Sequence, residues 1–243
     1  MLSKQQIKFI NSLKHNKYRL KYNCFVAEGS HVVNEFIKSN FKLKLIISTN
    51  EWQIKSKVET LVVDKKTLKK ISFLKTASSV LAVFYKPDTI LRLDDFVIQK
   101  YAILLDSISD PGNMGSIIRT SDWYGVKEIF VSKKSVDVFN PKVIQSSMGS
   151  LSRVRVHAID LIQLLTQLKK KQVPCFGATL LGEDMYDIQK PDCCALVFGS
   201  ESHGISKEVK KLLDQEILIP SKNKLIDSLN VSVAYGIILS EFR

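Results

Sequence analysis

No stretch of this sequence approaches the roughly 20 consecutive apolar residues needed to cross a bilayer, so no membrane role is expected. The N-terminal segment has no apolar core of the kind a secretory signal carries, and a cytoplasmic location is expected. Cysteine is scarce. Cys24, Cys175, Cys193 and Cys194 make no C-x-x-C pair, and the adjacent Cys193 and Cys194 lie too close along the chain to bridge each other readily. Reduced thiols serving as small apolar residues are the expectation. The four histidines (His15, His31, His157 and His203) show no ligand spacing, so no metal site is expected. Acidic residues are absent before Glu28, although Lys4, Lys8, Lys14, Lys17, Arg19 and Lys21 precede it. There is no G-x-G-x-x-G fingerprint and no Walker A loop. A generic nucleotide-binding α/β enzyme is therefore a poor fit.

What is present looks like an ordinary globular chain, 45% apolar and 25% charged. The formal net charge of +12 is unevenly placed. Residues 1–100 hold 19 Lys and Arg against 8 Asp and Glu, whereas residues 101–243 hold 17 against 16. A cationic half joined to a balanced half suggests a polyanion-binding module attached to a different activity.

The helical spacing of Ile7, Ile10 and Leu13 predicts an amphipathic helix over residues 3–14, with Lys4, Lys8 and Lys14 outside the apolar face. Lys14 to Tyr22 is a basic segment with interleaved tyrosines. A tyrosine can stack on a base while Lys and Arg meet phosphate; a helix end with partly buried rings fits the same residues. Short strands are expected at 24–27, 43–48, 61–63 and 80–85, with helices over 30–38 and 64–74. Residues 87–95, opening on Pro87-Asp88, are the expected linker.

From Phe96 the pattern changes to continuous apolar runs at 101–105, 128–131, 175–179, 195–198 and 217–219. Such runs read as parallel strands buried on both faces. Helical segments alternate with them at 113–124, 141–147, 160–172, 207–213 and 231–242, which predicts an α/β domain with a mostly parallel sheet. Ligands bind beyond the carboxyl ends of such strands. Three loops stand there. Asp106 to Gly115 contains a Pro111-Gly112 turn and leads into a helix carrying Arg119. Gly199-Ser200-Glu201-Ser202-His203-Gly204 sets one acid between glycines, which suits donors or a cationic ligand better than phosphate. Lys222 to Asn230 precedes a last helix whose start offers Ser228 and Asn230 as caps.

In this order the three loops resemble the motifs of the SpoU/TrmH family of RNA 2′-O-ribose methyltransferases. DSISDPGNMGSIIRTSDWYG is similar to motif 1, LVFGSESHGIS to motif 2 and LIPSKNKLIDSLNVSVAYGI to motif 3. The stretch LKHNKYRLKYNCFVAEGSHVV resembles the family's small L30e-like substrate-binding domain. The resemblance implies a basic RNA-binding domain over residues 1–90 and a catalytic domain over 96–243 with a deep trefoil knot. It implies a homodimer and S-adenosylmethionine as methyl donor, gripped at Gly199, Ile219, Leu229 and Asn230. It places Arg119, Asn113, Glu201 and Ser228 at the catalytic centre. RNA contact falls to Lys14, Lys17, Tyr18, Arg19, Lys21 and Glu28. Two departures stand in cofactor loops: Ser221-Lys222-Asn223 where methionine and glycine are common, and Ser202 where glycine is common. Ribosomal RNA is the expected substrate, with transfer RNA the alternative and a non-catalytic RNA-binding or ribosome-assembly protein the reading from another class.

Overall fold

The computed structural model describes residues 2–50, 52, 60–87, 100–223 and 225–242. The expected linker at 87–95 lies, beyond Pro87, outside the described residues. Two compact units emerge. One comprises Met1–Asp88 with Asp137–Arg153, the other Thr89–Val136 with Val154–Arg243.

The first unit is a four-stranded mixed sheet with helices. Its helices are α1 (Lys4–Ser12), α2 (Asn16–Tyr22), α3 (Ser30–Ile37) and α4 (Lys65–Ile71). Its strands β1 (Cys24–Glu28), β2 (Leu43–Ser48), β3 (Thr60–Val62) and β4 (Val80–Tyr85) run in the order β1-β4-β2-β3. Strand β4 is antiparallel to both β1 and β2, and β3 lies parallel to β2. Helix α1 starts on a capping box: the Ser3 hydroxyl accepts from Gln6 N, and Gln6 Oε1 accepts from Ser3 N. Alternate residues of β1 serve opposite faces. Cys24 and Val26 join Ile10, Leu13, Leu68, Leu81 and Val83 in one buried cluster. Phe25 turns the other way, into an aromatic group with Phe36 at 5.2 Å and Phe84 at 5.7 Å.

The later segment Asp137–Arg153 completes that aromatic face. Phe139 lies 4.8 Å from Phe25, and α6 (Pro141–Ser146) packs on β1. Arg153 pairs with Glu35 of α3. Arg19 of α2 is 2% exposed, and its guanidinium donates to Asp137 Oδ2 at 2.7 Å, to the Leu13 carbonyl at 2.9 Å and to the Lys14 carbonyl at 2.8 Å.

The second unit is an α/β sheet with every pairing parallel. Its strands are β5 (Tyr101–Asp106), β6 (Glu128–Ser132), β7 (Arg155–Ile159), β8 (Cys175–Asp184), β9 (Cys194–Gly199) and β10 (Gln215–Leu218), in the order β10-β8-β9-β5-β6-β7. The helices are α5 (Pro111–Trp123), α7 (Leu161–Lys170), α8 (Lys207–Lys210) and α9 (Val231–Phe242). All five expected apolar runs are strands. Strand β7 was not expected: it is a sheet edge whose Arg155 and Ala158 are exposed, so it forms no continuous apolar run. One core joins Leu161, Leu164, Leu165 and Leu168 of α7 to Ala102, Leu104, Phe130, Cys175, Ala195 and Val197 of the sheet. Burial pushes the thiols of Cys175 and Cys194 up to about 12, so both remain neutral small core residues. Among the described residues, no helix is long and apolar enough to cross a membrane.

Candidate active site

Strands β5 and β9 are neighbours in register, with Asp106 opposite Gly199, so their following loops leave the sheet side by side. Asp106 ties them together. Its Oδ2 accepts from Ser206 N at 2.9 Å and its Oδ1 from the Ser107 hydroxyl at 3.0 Å, and the residue is 4% exposed. Sequence patterning did not single out Asp106; its place as the polar last residue of a buried strand was the signal.

The loop after β9 closes on itself. Ser200 N donates to the Gly204 carbonyl at 3.1 Å and Gly204 N to the Ser200 carbonyl at 2.8 Å. Gly204 sits at φ 65°, in the left-handed region. The closed loop lies against Gly199, where any Cβ would be driven into the backbone at Gly204 and Ile205. Glycine at 199 is therefore required by the path of the loop.

Helix α5 starts where the Asp110 carboxylate accepts from Asn113 N at 2.8 Å, with Pro111 in the first turn. This fixes Asn113, whose side chain joins the three loops. Its Nδ2 donates to Glu201 Oε1, and its Oδ1 accepts from Asn230 Nδ2 at 2.9 Å. Asn230 Oδ1 in turn accepts from Ser232 N at 2.9 Å and the Ser232 hydroxyl at 2.7 Å, capping the start of α9. A continuous line runs from Ser232 through Asn230 and Asn113 to Glu201. Helix α9 is held against α5 by Tyr235, buried completely, whose hydroxyl meets Ser121 Oγ at 2.5 Å. Ser121 Oγ already donates to the Ile117 carbonyl, so the tyrosine donates to the serine. Burial raises the Tyr235 phenol well above its usual range, which keeps it a donor.

Arg119 lies on α5 beyond Asn113, exposed, and makes no hydrogen bond or ion pair to another described residue. Arg119 and Asp122, three residues apart on the same helix, are not paired with each other. Ser228 is exposed and makes no hydrogen bond to another described residue, so the cap falls to Asn230 alone. Ile219 is half-buried just beyond β10, Leu229 is 47% exposed, and residues 220–223 and 225–230 are all exposed. Within this exposed stretch the Ser221 hydroxyl donates to the Asn223 carbonyl at 2.8 Å and accepts from Asn223 N at 3.3 Å. One carboxylate, two carboxamides and an exposed loop suit a cationic ligand such as S-adenosylmethionine.

In the first unit, Lys14, Lys17 and Lys21 are exposed and Tyr18 is half-buried. Arg19 differs from the expectation of RNA contact: its donors are committed internally. Glu28 is 5% exposed; its carboxylate accepts from the Ser72 hydroxyl at 2.7 Å and from Phe73 N at 2.6 Å. Burial raises its pKa, and the two hydrogen bonds oppose that rise. Glu28 holds the turn after α4.

A parallel sheet with three joined loops beyond its strand ends defines, with the comparisons that follow, an S-adenosylmethionine-dependent RNA methyltransferase. Residues 100–240 match the SpoU rRNA Methylase family, and residues 4–82 match an MRM3-like substrate binding domain. The chain belongs to the SpoU rRNA Methylase family. It is 28% identical to the 23S rRNA (guanosine(2553)-2′-O)-methyltransferase RlmP of Bacillus subtilis, over 98% of this chain and 96% of that protein. A putative RNA methyltransferase of the TrmH family from Porphyromonas gingivalis has a solved structure that is 34% identical, with a TM-score of 0.89 over 100% of this chain and 98% of that one. An AdoMet-bound rRNA methyltransferase from Sinorhizobium meliloti is 25% identical, with a TM-score of 0.85 over 100% and 96%.

Proposed function

We propose that the protein methylates a ribose 2′-hydroxyl of large-subunit ribosomal RNA, in the cytoplasm, through the site around Asn113 and Arg119. The observation that carries this reading is the contrast inside that site. Asn113 is fully engaged with Glu201 and Asn230, while Arg119 is exposed with its donors unengaged by described residues. When bound, S-adenosylmethionine supplies the electrophilic methyl group. The residues of the chain do the rest. Gly199, Ile219, Leu229 and Asn230 hold the methyl donor, largely through backbone groups, and the Glu201 carboxylate offers negative charge suited to a sulfonium. Asn113 keeps the three loops in one arrangement. Ser228 helps place the ribose.

The 2′-hydroxyl must lose its proton, here to surrounding water, as negative charge grows on oxygen. The guanidinium is a donor with no acceptor and a pKa above about 12, so it does not take that proton. Arg119 instead anchors an RNA phosphate and stabilises the developing alkoxide. Lys14, Lys17, Lys21 and Tyr18 of the first unit contact RNA; Arg19, bonded to the Leu13 and Lys14 carbonyls, fixes the segment that carries them, and Glu28 holds the turn after α4.

The enzyme works as a homodimer. Trp123 is 85% exposed on α5, and Leu225, Ile226, Leu229 and Val233 are between 47% and 91% exposed around the start of α9. An exposed apolar group beside a catalytic arginine is suited to a second copy of this chain. Sedimentation should give twice the chain mass, and Trp123→Asp should return the monomer. The loops from Gly199 onward form the family's trefoil knot.

Labelled S-adenosylmethionine with 23S rRNA fragments tests the reaction. Wild-type protein should label one ribose, and Arg119→Ala should bind the methyl donor and transfer about a hundredfold to a thousandfold more slowly. Label in transfer RNA alone would change the substrate, and label in no RNA would leave a binding module.

A further inference from the structure

The first unit carries a ring shelf that the methyl-transfer site does not use. Tyr18 and Tyr22 stand four residues apart on one face of α2, their rings 6.2 Å apart and nearly parallel at 13°. Phe9 of α1 meets Tyr22 edge-on at 5.1 Å and 76°. Phe9 also faces Lys44 of β2, whose Nζ lies 5.6 Å from the Phe9 ring and 4.6 Å from the Tyr85 ring, and bonds the Tyr85 hydroxyl at 3.0 Å. Lys42 lies 5.6 Å from the same Tyr85 ring, and Lys17 and Lys21 stand over Tyr18 and Tyr22 at 5.3 and 5.6 Å. Tyr18, Tyr22, Phe9, Lys44 and Tyr85 thus form one continuous line across α2, α1, β2 and β4. Lys44 occupies the register shift between Leu43 and Leu45, and such bulges re-aim a side chain.

A covering over the core is the ordinary use of such rings, and it accounts for part of the line. Phe9 and Tyr85 pack against the buried cluster of Ile10, Leu13 and Cys24. Tyr18 and Tyr22 are not among the residues packed there, and Tyr22 is 38% exposed. The four lysines are exposed and form no ion pair with a described carboxylate. An outward ring pair edged by unneutralised cations lacks a partner with an aromatic face and negative charge. Nucleotides combine the two, and only unpaired nucleotides offer the base face.

We propose that this shelf takes an unpaired RNA segment, with a base stacked on Tyr18 and Tyr22 and its flanking phosphates at Lys17, Lys21, Lys42 and Lys44. The inference rests on the reading that the chain acts on RNA, and it names the form of RNA the first unit selects.

The test uses the full chain and two fluorescein-labelled probes, a twelve-residue oligouridylate and a twelve-base-pair RNA duplex, followed by anisotropy. The single strand should bind more tightly. Replacing both rings, Tyr18→Leu with Tyr22→Leu, should weaken single-strand binding about tenfold or more, and Tyr18→Phe with Tyr22→Phe should restore it. Lys42→Gln with Lys44→Gln should reduce the slope of log affinity against log salt by about 1.4. Equal or tighter duplex binding, or unchanged binding by the leucine pair, overturns the shelf. So does a phenylalanine pair as weak as the leucine pair. Wild-type protein that labels rRNA while the leucine pair keeps its KM also overturns the shelf and leaves the enzyme reading standing. Wild-type protein that labels no RNA overturns the enzyme reading, and the oligouridylate comparison still decides the shelf.

Discussion

Two arginines, one in each unit, stand in segments to which our proposal gives function, and their surroundings are opposite. Arg19 on α2 is sealed under the first unit, bonded to Asp137 and to the carbonyls of Leu13 and Lys14. Arg119 on α5 of the second unit is exposed and bonded to no described residue. The guanidinium presents five donors in a planar fork. Where folding engages that fork, the residue pins two helices and a distant loop together. Where folding leaves it open, its donors remain for something that arrives later. The same residue type is architecture in one unit and, on our proposal, chemistry in the other.

The sharpest way to break this contrast is Arg119→Ala. Turnover should fall by about a hundredfold to a thousandfold, while stability stays within about 0.5 kcal/mol of wild type. Single-turnover methyl transfer and urea unfolding measure the two quantities. A stability loss without a rate loss would reverse the assignment of the two arginines.

Next in size is Arg19→Met. Removing one partner leaves the Asp137 carboxylate, 17% exposed, without its cation, at a cost of about 3 kcal/mol. Denaturant unfolding should report it, with kcat per folded molecule unchanged.

A smaller loss is expected at the line of side chains joining the loops. Asn113→Ala or Asn230→Ala should each lower kcat by about tenfold, and the double variant should be little worse than either, since both break one network. Additive losses would mean that the two side chains act separately.

The smallest effect concerns His157, buried on β7 with its Nε2 lacking a hydrogen bond. Burial lowers its pKa, with Glu128, 3.8 Å away, opposing that shift. Between the depressed folded pKa and the ordinary value near 6.5, the unfolded chain binds more protons. Stability therefore falls as pH drops through that window. His157→Phe should flatten thermal midpoints between pH 7 and 5.5, and an unchanged slope would remove His157 from the account.

The legible part of the fold follows from where burial is one-sided in sequence. Buried strands such as Tyr101–Asp106 and Cys194–Gly199 are apolar along their length and announce themselves. Edge strand Arg155–Ile159 mixes Arg, Val, His, Ala and Ile because one side meets solvent, and no run marks it. Each loop of the site could be found as a polar turn after a strand. Their union could not, since it depends on Asn113 meeting Glu201 and Asn230, which lie 88 and 117 residues away. The burial of Arg19 was hidden for the same reason: its partner Asp137 is 118 residues further on. A basic segment reads as one surface in sequence, although a helix turns one of its cations inward.

The segment Asp137–Arg153 has a consequence for the order of synthesis. Domains fold as units, N-terminal first, as the chain emerges from the ribosome. Here the first unit is unfinished when its own first 88 residues have emerged. Phe25 lacks Phe139, Arg19 lacks Asp137 and Glu35 lacks Arg153 until β5, α5 and β6 have also been made. The nascent first unit is thus held incomplete until two of the six strands of the second unit's sheet exist, so a chain broken off before Arg153 carries neither unit complete.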